Sequence, residues 1–275
     1  MDHTPHPPRT YPAGVPCWVD VEARDVRAAA DFYAALFGWS YAEAGEPGAG
    51  DPYLFARLDG RDVGAIQAGD SDAGWVSYIS CDDVEKTCAR VERQGGEVLV
   101  PPSEGGEYGR TATCRDPQAA LFRLWQPGTH HGSQIVNTPG AWNFSDLHTP
   151  DPEAALAFYG ELFGWTVDPR LGAGMIRLPG YGNHLAATSD PDIHTRQESL
   201  PEGFADVIAG LTPGAPKSSW QIRFAVADRD ASVAVAKEQG ATIESQADTE
   251  WSKDAVVVDP QGARFIVSEF APGEG

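Results

Sequence analysis

Two short stretches carry residue types able to bind or react: Cys17–Glu22, CWVDVE, and Asn143–His148, NFSDLH. In an extended strand successive side chains point to opposite faces. Trp18, Asp20 and Glu22 therefore share one face of the first stretch, and Cys17, Val19 and Val21 the other. In the second, Phe144, Asp146 and His148 share a face, preceded by Trp142. An aromatic ring beside a carboxylate, at matching places in both stretches, suits a small-molecule site, where apolar walls carry a few placed polar groups. Asp146 and His148 on one strand face are also a candidate acid–base pair. The plainer role for Asp20 and Asp146 is a structural hydrogen bond copied with the strand. The two roles are compatible.

The elements that position these strands come in duplicate. FYAALFGW at Phe32–Trp39 recurs as FYGELFGW at Phe158–Trp165, and RDPQAALFRLW at Arg115–Trp125 resembles VDPQGARFIVS at Val258–Ser268. VERQGGEV at Val91–Val98 resembles AKEQGATI at Ala236–Ile243. The order is the same in both copies, which marks an internal repeat. Each copy opens with an alternating strand. A helix follows, with apolar residues at helical spacing (Ala29, Phe32, Tyr33, Leu36, Phe37) and a stop at Gly38. YLFARLDGRDVGAI predicts a hairpin around Asp59-Gly60. WVSYIS then starts a second round of strand, helix and strands. The expectation is an α+β protein of four βαβββ units in two domains, 14–130 and 141–275. Residues 1–13 form a mobile Pro-rich tail and 131–140 a linker.

The second copy is longer. Residues 188–217 have only a short counterpart in the first copy. Ser199 and Glu202 fit a capping box, and Leu200, Phe204, Val207, Ile208 and Leu211 predict an amphipathic helix. Such an insertion serves as a lid or as packing between the copies. His184 is expected on a hairpin, GYGNHLAA. The Gly-rich EPGAGDPY and PPSEGGEYG lack phosphate-loop spacing and are expected as flexible rims.

Composition narrows the partners. Forty acids against twenty bases, a formal charge of -20, oppose nucleic acid and anionic membranes. No apolar run has the length of a membrane span. The start lacks the apolar stretch of a secretory signal. Cys17, Cys81, Cys88 and Cys114 form no CxxC and read as reduced thiols of a cytoplasmic protein.

The paired FYxxLFGW motifs, the QGG helix end and the RDP…FRLW strand resemble the vicinal oxygen chelate superfamily. That superfamily includes glyoxalase I, bleomycin- and fosfomycin-resistance proteins and extradiol dioxygenases. The resemblance spans nearly the whole chain and looks closest to tandem actinobacterial members. It implies paired βαβββ units forming glyoxalase-like domains, whose cup-shaped mixed sheets enclose a ligand cavity. It also turns the Trp18, Asp20, Glu22 face and the Trp142, Phe144, Asp146, His148 face inward. Metal-using members place a His or Gln fourteen residues before the Phe-Tyr pair, which here is Trp18 and Phe144. The other ligand positions fall at Val76 and Gln221, and at Arg123 and Ile266. Only Gln221 is a donor, and a divalent ion needs several. No metal and no cofactor are expected.

Arg123 and Trp125 on the closing strand, with Gln221, Arg223 and His184, complete the expected ligand-binding set. Arg123 would neutralise Asp20 or Glu22, and Arg223 would neutralise Asp146. The resulting expectation is a metal-independent protein that binds an aromatic metabolite or cationic antibiotic, such as an aromatic polyketide. Its role would be self-resistance or service beside a biosynthetic enzyme. The alternative is a glyoxalase-like lyase or isomerase, or a hydroxylase-type enzyme, using Asp146 and His148.

Overall fold

The computed structural model describes residues 8–44, 52–69, 74–172 and 174–272. The first sequence half supplies β1 (Pro16–Ala23), α1 (Val26–Phe37), β2 (Ser40–Glu43), β3 (Tyr53–Leu58) and β4 (Arg61–Ala68). It continues with β5 (Trp75–Ser80), α2 (Val84–Arg93), β6 (Glu97–Glu104), β7 (Gly109–Arg115) and β8 (Leu121–Pro127). The second half supplies β9 (Trp142–Thr149), α3 (Pro152–Phe163), β10 (Thr166–Val167), β11 (Met175–Arg177), α4 (Tyr181–Ala187), α5 (Ile193–Arg196) and β12 (Val207–Pro213). It ends with β13 (Ser219–Val226), α6 (Arg229–Glu238), β14 (Thr242–Asp248), β15 (Ser252–Val258) and β16 (Arg264–Phe270). Among the described residues the strands form two eight-stranded mixed sheets, ordered β2-β3-β4-β1-β5-β8-β7-β6 and β10-β11-β12-β9-β13-β16-β15-β14.

The compact units are not the two sequence halves. One unit contains the chain through Cys17, Tyr78–Gly132 and Asp146–Trp220; the other contains Trp18–Ser77, Ser133–Ser145 and Gln221–Gly275. Each unit therefore takes one βαβββ module from each half. The repeated motifs explain how. In the second unit Trp75 donates its indole N–H to the Tyr33 hydroxyl at 2.9 Å, which donates to Asp259 Oδ2 at 2.8 Å. In the first unit Trp220 donates to Tyr159 at 3.1 Å, which donates to Asp116 Oδ2 at 3.2 Å. Each FY tyrosine is thus tied to the DP aspartate of the other half. The other oxygen of each aspartate holds the turn after it, accepting from Gln118 and Ala120 or from Gln261 and Ala263. Burial pushes both tyrosine hydroxyls well above their usual range, so they remain donors.

The local elements follow elementary rules. Asp25 and Asp151 cap α1 and α3 through Ala28 N and Ala154 N. Gly38 and Gly164 end these helices at φ 74° and 79°, a left-handed conformation in which a Cβ is strained. The hairpin β3–β4 turns at Asp59-Gly60 as expected, both with positive φ. Phe32, Tyr33 and Phe37 enter a core with Trp39, Trp75, Phe224 and Phe265, on which Val19 and Val21 also pack. The four cysteines are free and buried.

Several segments depart from expectation. Residues 8–13, expected within a mobile tail, are anchored. Tyr11 is buried, and its carbonyl accepts from Ser80 Oγ at 3.0 Å, while Gly14 and Val15 exchange backbone bonds with Ser80. Residues 1–7 lie outside the described residues. The expected helix over 200–211 does not form. Gly203, at φ 87°, breaks it, and β-branched Val207 and Ile208 enter β12, which pairs in parallel with β9. The extra chain of this module is accordingly 178–206, between β11 and β12. GYGNHLAA is helical (α4), not a hairpin: Leu and Ala favour helix, and Asp206 accepts from the Gly182 N–H in its first turn. PPSE is the end of β6 and Gly106–Tyr108 a 3-10 turn, rather than a flexible rim, while most of EPGAGDPY lies outside the described residues. No helix among the described residues is long and apolar enough to cross a membrane.

Candidate functional site

In the second unit, strand register gathers the residues of interest on one face of β3-β4-β1. Asp20 pairs with Ala65, which pairs with Phe55. Glu22 pairs with Gln67, which pairs with Tyr53. Directly paired residues point to the same face, so Trp18, Asp20, Glu22, Phe55, Tyr53 and Gln67 share it, with small Ala65 between Phe55 and the acid. Trp18 donates its indole N–H to Tyr53 Oη at 2.9 Å, and its ring lies 6.0 Å from Phe55. Tyr53 and Phe55 meet edge to face at 5.3 Å. Asp20 is completely buried, and Gln67 donates to Glu22 at 3.3 Å. Three aromatic rings thus flank a buried carboxylate. Tyr53, Phe55 and Gln67 were not expected from the sequence. Their signal was the hairpin itself, whose register brings alternate residues onto the face of β1.

The first unit repeats the row on β11-β12-β9. Asp146 pairs with Gly210, which pairs with Met175, and His148 pairs with Thr212. Again a small residue stands beside the acid. Asp146 is buried and His148 half-buried. Trp142, expected on the ligand-facing stripe, belongs to the buried core cluster with Ile135 and Ala141. Phe144 is half-buried on the same strand.

The closing strands carry the arginines. Tyr78 on β5, Arg123 on β8 and Thr113 on β7 form one row. Arg123 donates to Tyr78 Oη at 3.0 Å, and its guanidinium carbon lies 5.5 Å from that ring's centroid. Trp125 donates its N–H to the His130 carbonyl at 2.9 Å. Arg223 has an ion pair that the sequence did not reveal, 2.6 Å to Asp254 on β15, where Asp254 also accepts from Ser268 at 2.6 Å. His184 is engaged structurally: its Nε2 lies 3.1 Å from both Oγ1 and the carbonyl of Thr10, holding the N-terminal segment.

A metal does not fit the positions that metal-using relatives employ. Trp18, Phe144, Val76, Arg123 and Ile266 have no suitable lone pair, and Gln221 Oε1 already accepts from Arg264. Among the described residues no three His, Cys, Asp or Glu side chains converge for an ion.

Comparison with known proteins places this arrangement. Residues 18–124 match the Glyoxalase/Bleomycin resistance protein/Dioxygenase superfamily, and residues 144–268 match the Glyoxalase-like domain. Over 270 residues the chain is 34% identical to CFP32 of Mycobacterium tuberculosis, covering 95% of this chain and 97% of that one. The chain belongs to the glyoxalase/bleomycin resistance/dioxygenase superfamily. It is also 32% identical to the anthracycline biosynthesis protein DnrV of Streptomyces peucetius, covering 96% of each chain. Among solved structures, this superfamily member resembles an Mn(II)-bound glyoxalase from Novosphingobium aromaticivorans. The TM-score is 0.57 at 17% identity, over 94% of this chain and 82% of that one. It resembles the 2,3-dioxygenase LapB of Pseudomonas sp. KL28 with TM-score 0.58 at 15% identity, over 96% and 95%. At these identities the likeness is one of fold.

Proposed function

We propose that the chain is a metal-independent, cytoplasmic binding protein for an aromatic metabolite, and that a cationic group on the ligand faces a buried carboxylate. The observation that carries this is the Trp18–Tyr53–Phe55 cluster flanking Asp20 beside small Ala65. Aromatic walls favour a planar, cation-bearing ligand through stacking and cation–π attraction. A carboxylate about 4 Å from an ammonium gains about 1 kcal/mol in water and about 4 kcal/mol at the effective dielectric near a protein surface. The similarity to DnrV, named for anthracycline biosynthesis, supports an aromatic polyketide as the ligand class and a role beside a biosynthetic enzyme.

The test is tryptophan-fluorescence titration of the chelator-treated protein with the amino-sugar anthracycline daunorubicin and with its aglycone. Saturable quenching that chelator leaves unchanged is expected. Asp20→Asn should weaken the amino-sugar form by about tenfold and the aglycone by much less. Binding that returns only on adding a divalent metal would sink the metal-independent part; equal losses for both ligands would sink the electrostatic part. A second reading, acid–base catalysis, rests on Asp146 and His148 sharing one face of β9. It requires turnover that His148→Gln abolishes while leaving ligand affinity intact.

A further inference from the structure

The chain between β11 and β12 borders open clefts of its own, within the first unit. Two cavities of about 390 and 420 Å³ share His194, Glu202, Gly203 and Ala205 in their walls. The first adds Arg170, Arg177, Asn183 and Asp206; the second adds Leu200, Pro201 and Phe204, with Gln197 and Glu198. One end is thus polar, and the other is mixed, with Leu200, Pro201 and Phe204 as its apolar part.

The polar end carries two arginines, Arg170 and Arg177, and two acids, Glu202 and Asp206. Arg170 grips Asp168, with its Nε 3.1 and 3.2 Å from the two carboxylate oxygens and its NH2 2.7 Å from Oδ2. The Arg170 backbone N–H also donates to Asp168, at 3.0 Å. This grip holds the Asp168 carboxyl down at about 2. Glu202 also acts on Arg170. Asp206 accepts from the Gly182 N–H at 2.9 Å. Arg177 has only a loose ion pair, NH1 to Asp168 Oδ2 at 3.7 Å, beyond hydrogen-bonding reach. Its Nε is buried without a hydrogen-bond partner. Gly203 makes room for this guanidinium, since a Cβ there would stand 2.6 Å from Arg177 NH1. That Nε is enclosed and out of a ligand's reach, but the side chain is 22% exposed and lines the cavity, and a guanidinium presented this way matches a planar carboxylate, which accepts N–H bonds from its terminal nitrogens.

We propose that this cavity is a second ligand site, which binds an organic carboxylate. The acid sits on Arg177 beside Asn183 and His194, and the hydrocarbon body extends over Leu200, Pro201 and Phe204. The site is separate from the aromatic face around Asp20, and its ligand has the opposite charge.

The experiment is a two-dimensional amide NMR titration of the intact protein with 2-naphthoate and, separately, with neutral 2-naphthalenemethanol. Saturable shifts at His194, Gly203 and Ala205 are expected, with the acid binding at least tenfold more tightly than the alcohol. Arg177→Gln should remove that preference, Arg177→Lys should restore part of it, and Phe204→Ala should weaken both probes. Asp20→Asn should leave naphthoate binding unchanged, so failure here is distinct from failure of the aromatic face. Equal affinity of acid and alcohol for the unmodified protein, shifts centred elsewhere, or no shift at millimolar naphthoate would each overturn the proposal. The acid–alcohol comparison needs no variant, so it decides the matter even where Arg177→Gln fails to fold.

Discussion

Single side chains in this protein do different work on the two faces of one strand. On β1, Val19 and Val21 join the core, while Trp18 and Asp20 join a row of rings and a small residue. The core carries its own polar devices, the Trp–Tyr–Asp chains centred on Tyr33 and Tyr159. Removing either hydroxyl leaves a buried indole N–H and a buried carboxylate oxygen without that partner, which costs about 1–3 kcal/mol. Tyr33→Phe and Tyr159→Phe should therefore each lower the urea midpoint by that equivalent, with little change in slope. A loss below about 0.5 kcal/mol in both would show that water replaces the hydroxyl. At this scale the sequence was informative about position and less so about partners. Alternation sorted the faces of CWVDVE correctly. The Asp59-Gly60 hairpin sets Tyr53 and Phe55 against β4, but their place beside β1, like that of Asp254 beside Arg223, depends on the pairing of strands distant in sequence, which no local pattern specifies.

The helices, strands and turns were read most reliably where two independent signals coincide. α1 has an apolar stripe and a terminal Gly, α3 repeats its motif, and both form as expected, with an Asp cap on each that the structure adds. Gly38 and Gly164 occupy left-handed conformations with open space where a Cβ would point or only an ordinary contact, 3.8 Å from Leu178. Gly→Ala there should cost about 1 kcal/mol each through backbone strain alone, measured by thermal unfolding. A neutral result would mean that the helix ends relax. The segment 200–211 shows the opposite case. Its stripe of Leu200, Phe204, Val207, Ile208 and Leu211 fits a helix, yet alternate residues also fit a buried strand, and Gly203 with two β-branched residues decides for β12. Short apolar runs are ambiguous by period, and the missing fourth strand of the module was the clue that the repeat itself offered.

At the scale of the whole molecule, the chain is duplicated in sequence but each compact unit draws on both halves. The repeat was visible in FYxxLFGW and DPQ; the exchange between halves was not, because a repeat motif does not say which copy it touches. This makes a specific expectation for amide exchange. Tyr159 belongs to the second half but bonds Asp116 of the first. Tyr159→Phe should speed exchange by about tenfold at Phe122 and Leu124 in β8, within its own unit. Phe265 and Val267 in β16 lie in its own half but in the other unit, and should change little. Loosening that follows the sequence halves instead would contradict the crossed arrangement.

The reciprocal ties, Tyr33 to Asp259 and Tyr159 to Asp116, bear on descent. A chain of half this length, carrying one FY and one DP, would have had to reach into a second copy of itself to make either bond. Such self-complementary contact is the ordinary bond of a two-fold pair. Joining two such genes end to end would keep both bonds while freeing each copy to change its binding face alone. Inheritance by fusion would then explain why one half carries Glu22 and the other His148 beside the same buried acid, over frameworks that keep the same two bonds.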